Sequence, residues 1–164
     1  MRRDLTLWLA VLVSSTVAVG LTTRLPQEAL QSVDLANHGR AVYIAEGCVH
    51  CHSQYVRPVG PDRESWGPVT LPEVALAQRP VLIGNRRQGP DLANVALRRS
   101  MDWNRRHLID PRSVSPASRM PAYPHLFSGD GSRGEALLAY LNQLKPALNE
   151  ATEAVIEAEK NFAE

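Results

Sequence analysis

The chain contains two cysteines, and they stand three positions apart in Cys48-Val49-His50-Cys51-His52. Two thiols this close along a chain give no disulfide framework, and they provide at most half of a four-ligand zinc site. What the spacing favours is two sulfurs one helical turn apart with an imidazole directly behind them, the attachment pattern of a c-type haem. Each thiol then reaches a vinyl group on one porphyrin edge, and the following histidine places its ring on the iron. A redox dithiol is the rival, but it belongs in a βαβ setting that this sequence lacks. A zinc site would need histidines from elsewhere to converge by coincidence. The motif therefore predicts one covalently bound haem c on Cys48 and Cys51, with His52 as its proximal ligand.

A second axial ligand has to come from Met101, Met120, His38, His50, His107 or His125. His50 lies inside the motif and points away from the iron. A loop long enough to wrap the haem and anchored beyond it favours Met120, in Ser118-Arg119-Met120-Pro121-Ala122-Tyr123-Pro124, where prolines stiffen the backbone holding a thioether against iron. Met101 and His107 are the alternatives. A His/Met pair gives a six-coordinate iron suited to electron transfer rather than oxygen chemistry. A five-coordinate haem would instead suit a peroxidase-like or gas-binding enzyme, and it requires Met120 to stay off the iron.

The chain has 164 residues, room for one ordinary domain with appendages. Its formal charge of +1 argues against a basic surface for nucleic acid. Aromatic residues make up only 5% of it, beside 12 prolines and 10 glycines, so the core is short of bulky fillers that a cofactor would help replace.

Residues 1–24 read as a cytoplasmic tip and a transmembrane anchor. Leu5 to Leu21 carries no charge, and at about 1.5 Å per residue such a helix spans about 25 Å of a core roughly 30 Å thick. Arg2, Arg3 and Arg24 make up the difference by snorkelling. A cleaved signal is the competing reading, but the apolar run is longer than a signal core and no small-x-small site follows it. Arg2 and Arg3 stay in the cytoplasm by the positive-inside rule, which puts a single pass in the inner membrane and the remaining chain in the periplasm.

Residues 25–33 read as a linker, 34–146 as the haem domain and 147–164, with five acids and one lysine, as an acidic helix or tail. Helices are expected from about Val33 to Glu46, Leu92 to Arg99, Asp102 to Ile109 and Ser132 to Leu144. Pro58, Pro61, Pro68, Pro72 and Pro80 forbid long regular elements between Ser53 and Gly89.

Sixteen of the 18 basic residues are arginines, and between residues 57 and 119 eleven of them face six acids. Their planar forks suit haem propionates, acidic partners or lipid headgroups. Arg57 and Trp103 are the first candidates for propionate contacts, with Arg86 and Arg87 behind them.

Several segments, in collinear order over about residues 37–126, resemble the mono-haem, membrane-anchored subunit II of cbb(3)-type haem-copper oxidases. They are Gly39-Arg40 with Tyr43, Glu46-Gly47-Cys48, Cys51-His52-Ser53-Gln54, Val56-Arg57-Pro58, Gly89-Pro90-Asp91-Leu92, Ser100 with Trp103, His107-Leu108, Pro111-Arg112 and Met120-Pro121-Ala122-Tyr123-Pro124. The resemblance implies a mainly α-helical class I cytochrome c domain with one N-terminal transmembrane helix. It implies haem on Cys48 and Cys51, His52 proximal, Met120 distal, and the Pro90 carbonyl on the His52 ring N–H. It also implies a crossing of first and last helices at Gly39, Tyr43 and Tyr140. The function implied is relay of single electrons to a separate catalytic haem-copper subunit, alongside other cytochrome c subunits, with no catalytic site in this chain. Arg98-Arg99, Asn104 and His125 depart from the family pattern outside the ligand set, so they bear on the partner more than on the haem. A nitric oxide reductase subunit shares this plan, and an anchored shuttle without a fixed partner is the remaining reading.

Overall fold

The computed structural model of the chain describes residues 27–84 and 86–146, with side chains from residue 31 onward. Two compact units divide the chain, Met1–Asp34 and Leu35–Glu164. Of the first, only the opening of helix α1 (Gln27–Ala45) falls among the described residues. All regular elements described are helical. After α1 come a 3-10 turn (Cys48–His50), α2 (Gly60–Trp66), α3 (Pro72–Ala77), α4 (Val95–Arg98), α5 (Met101–Ile109) and α6 (Pro111–Val114). A second 3-10 turn (Pro124–Phe127) and α7 (Ser132–Gln143) complete the series.

The expectation of a mainly helical chain is met. Among the described residues no helix is long and apolar enough to cross a membrane. The apolar run expected to do so and the acidic segment 147–164 both lie outside the described residues. Helix α1 starts at Gln27, inside the stretch expected as a linker, because Gln27-Glu28-Ala29-Leu30 are strong helix formers placed directly after a proline. It ends at Ala45, and two residues on Gly47, with a φ of 69°, lets the chain turn sharply into the cysteine motif.

The proline-rich stretch holds two short helices, α2 and α3, that the density of prolines had argued against only as long elements. Pro61 and Pro72 sit in the first turns, where no N–H is needed. Helix α4 is shorter than expected, because residues 92–94 are drawn into cross-links. The Leu92 amide donates to the Ser53 carbonyl at 2.8 Å. The Asn94 side-chain amide donates to the carbonyls of Trp66 and Pro68 at 3.1 and 2.9 Å. Helix α5 is capped by the Ser100 hydroxyl, which accepts from the Trp103 amide at 3.1 Å.

Helix α7 is the organising element of the core. It buries Gly134, Ala136, Leu137, Leu138, Tyr140 and Leu141, and α4, α5 and the second 3-10 turn pack against it. Helix α1 crosses it at Gly39, where any Cβ would collide with the Ala136 carbonyl. One turn on, the Tyr43 and Tyr140 rings meet at 5.6 Å between centroids, tilted by 59°. This is the crossing of first and last helices expected at these residues. The Tyr140 hydroxyl donates to Gln54 Oε1 at 3.0 Å, and the Tyr43 hydroxyl donates to the His52 carbonyl at 3.0 Å. The crossing therefore also holds the segment carrying the histidine of the motif.

Candidate functional site

The cysteine motif folds as one tight turn. The Cys51 and His52 amides both donate to the Cys48 carbonyl, at 3.2 and 2.9 Å, so the two thiols sit one turn apart as their spacing requires. Both residues are half-buried. Burial, with Glu46 nearby, pushes the Cys48 thiol up to about 11. A redox dithiol needs the opposite, a thiol depressed toward neutrality. Cys48 is thus a poor nucleophile, suited to a structural thioether.

The His52 ring is fixed from two sides. Its Nδ1 lies 2.8 Å from the Pro90 carbonyl. A carbonyl only accepts, so Nδ1 carries the hydrogen and Nε2 is left with its lone pair, the arrangement a metal-ligating imidazole needs. Burial holds the ring's pKa below its ordinary value, which keeps it neutral at neutral pH. A side chain on Gly89 would run into the ring, so the backbone there approaches it as no other residue would allow. The loop is held in place by the Gln88 and Gly89 amides, which donate to the Cys51 carbonyl at 3.1 and 3.0 Å.

Met120 is half-buried and packs against the core cluster that Cys48, Val49 and Leu92 also join. Met101 opens α5 and is 39% exposed. His38 and His50 are exposed, and His125 Nε2 lies 3.2 Å from Glu46 Oε2. His107 stacks on Trp103 at 4.6 Å between ring centroids, 15° from parallel. Met120, unlike Met101, packs against that core cluster, and His107 is half-buried as well, with its Nδ1 buried and without a hydrogen-bond partner. The thiol pair, the bare Nε2 of His52 and a thioether on the same core are together a donor set that fits a haem c.

Arg57, expected at a propionate, is committed to Asp62 through Nε and Nη2, at 2.8 and 3.0 Å. Arg87 is drawn inward. Its Nη1 donates to Asp62 at 2.6 Å, its Nη2 to the Tyr55 carbonyl at 2.7 Å and to Asp91 at 3.1 Å, and its guanidinium lies 4.5 Å from the Trp66 ring centroid. Arg57 and then Arg87 hold the buried Asp62 carboxyl well below the usual carboxylate range. Trp103 is half-buried, with the Arg99 guanidinium 4.6 Å from its ring centroid. Arg86 is exposed.

Sequence reading gave no role to Asp62, Asp91 or Glu46. Glu46 takes the Arg133 guanidinium at 2.5 Å as well as His125, tying the motif's leading edge to residues far along the chain. No periodic signal marks such pairs. A buried acid beside an inward arginine shows only once the loop is folded.

No curated protein matches the chain. A family model described as cytochrome C oxidase, mono-heme subunit/FixO matches residues 10–136. That match takes in the thiol pair, the Pro90 loop and Met120 and ends inside α7, so the chain belongs to the FixO family of mono-haem cytochrome c oxidase subunits, subunit II of the cbb(3)-type oxidases.

Proposed function

We propose that this chain is a membrane-anchored cytochrome c that carries one covalently bound haem and passes single electrons to the catalytic haem-copper subunit of a cbb(3)-type oxidase. The observation that supports it best is the His52 ring, held as a neutral imidazole with its Nε2 lone pair available by the Pro90 carbonyl and directly following the cysteine pair, whose first thiol is pushed up by burial. When bound, the haem supplies a one-electron ferric/ferrous couple between an imidazole and a thioether. Cys48 and Cys51 would hold it, His52 and Met120 would ligate it, and Pro90 fixes the His52 tautomer. Trp103 would offer its indole N–H to a propionate. Arg57, whose Nε and Nη2 are taken by Asp62, would have its Nη1 left for that task.

With its thioether on the iron, Met120 would leave this chain no open site for oxygen, and oxygen reduction would belong to the catalytic partner. The family match begins at residue 10, inside the apolar run. The uncharged run Leu5–Leu21 and the arginines that flank it are what support reading residues 5–21 as a single inner-membrane span, with Arg2 and Arg3 in the cytoplasm and the haem domain in the periplasm beside the oxidase's other cytochrome c subunits.

Purification from the native membrane in mild detergent tests this reading. One low-spin haem c per chain, travelling with a haem-b, copper-containing subunit, is expected. A high-spin haem, or a chain that leaves the membrane alone, would contradict it. Co-purification with a copper-free nitric oxide reductase would move the chain to that complex.

A further inference from the structure

We infer that Asp91 is a positioning residue for the iron ligand: its carboxylate clasps the loop bearing the Pro90 carbonyl to the segment behind His52, and so sets the strength of the His52–Pro90 hydrogen bond and the reduction potential that depends on it. The inference rests on the proposed haem ligation by His52.

Asp91 is 0% exposed, and a carboxylate so placed is tolerated only when its oxygens are satisfied. Oδ2 accepts from the Tyr55 amide at 3.0 Å and from Arg87 at 3.1 Å. Oδ1 accepts from the Ala93 amide at 2.8 Å. The Asp91 carbonyl accepts from the Arg98 guanidinium. Pro90 immediately precedes Asp91, and Tyr55 stands three residues after His52. The carboxylate thus links the residue after the acceptor to one three positions beyond the donor, closing a ring around the 2.8 Å bond between His52 Nδ1 and the Pro90 carbonyl. Arg87 braces the clasp from outside through Asp62 and the Tyr55 carbonyl.

The consequence is chemical as well as structural. A hydrogen bond from Nδ1–H to a carbonyl makes the imidazole a stronger donor and favours ferric iron. Slackening the clasp weakens that bond and raises the potential. Loss of the buried negative charge acts in the same direction, so the test has to separate the two.

Two variants of the full-length holoprotein do so. Asp91→Ser keeps a short acceptor for the Ala93 amide but gives up Tyr55 and Arg87. Asp91→Glu keeps the charge and displaces the clasp by one methylene. Midpoint potential and solvent exchange of the His52 ring proton, read by NMR in the ferrous state, are measured on both. Both variants should keep a low-spin, methionine-ligated spectrum and show a raised potential, with ring-proton exchange faster by about tenfold in Asp91→Ser, the equivalent of one net hydrogen bond. Wild-type exchange in both variants, with a potential shift confined to Asp91→Ser, would reduce the effect to charge and overturn the inference. Failure of both to fold around haem would also overturn it, by making Asp91 a fold determinant only. A wild-type protein whose haem is not ligated by His52 would instead refute the proposed function.

Discussion

Around His52 each contact has a separable job, and single substitutions can read them one at a time. A carbonyl at position 90 is available from any residue, so Pro90→Ala should keep the ring bond and the low-spin spectrum. Gly89→Val places a side chain where the ring lies. It should displace His52 and give high-spin or poorly incorporated haem, as optical spectroscopy of the purified protein will show. The contact of His52 with the Pro90 carbonyl was expected from the resemblance carried by Gly89-Pro90-Asp91-Leu92, and the tight turn of Cys48, Cys51 and His52 from their spacing. The roles of Asp62, Asp91 and Glu46 were not legible in the sequence, because their partners stand 25, 36 and 79 or more residues from them in some of their bonds and no local pattern announces such pairs.

At the level of elements, the crossing of α1 and α7 depends on the missing side chain of Gly39. Gly39→Ala sets a methyl against the Ala136 carbonyl and should cost about 1–3 kcal/mol, read as a lower denaturation midpoint in urea with little change in slope. On the other side of α7, Leu138 is 1% exposed in the core. Leu138→Ala should cost about 2–5 kcal/mol in the same assay. The strongly periodic helices, α5 and α7, were read from the sequence to within a residue or two. Helix α1 was placed late because its first turns lack an apolar stripe. The early end assigned to α4 missed that residues 92–94 are held by Ser53, Asp91, Trp66 and Pro68 rather than by a helical ladder.

Across the haem domain, the proline-rich stretch is held by charge and backbone cross-links in place of a ladder, with Asp62 and Arg87 at their centre. Asp62 has a depressed pKa in the folded protein, so its contribution is fully present above its unfolded value of about 3.9 and is lost as the pH falls toward its folded value. Asp62→Asn should therefore be less stable than the wild type by a constant margin above about pH 5, and the margin should shrink as the solution is acidified below about pH 4. Urea denaturation of both proteins across that range measures it. A margin that grows on acidification would assign the stabilisation to another group. The sequence showed the excess of arginines in this region but not their direction, since whether a guanidinium turns toward a propionate or toward a buried acid is decided by loop packing.

The central claim is that His52 and Met120 hold the iron of a single haem c. It is tested most directly by the methionine-to-iron charge-transfer band of the ferric holoprotein, recorded for the wild type, Met120→Ala and Met101→Ala. The band should be present in the wild type and in Met101→Ala and absent from Met120→Ala. A wild type without the band, or a band lost in Met101→Ala and kept in Met120→Ala, would contradict the account.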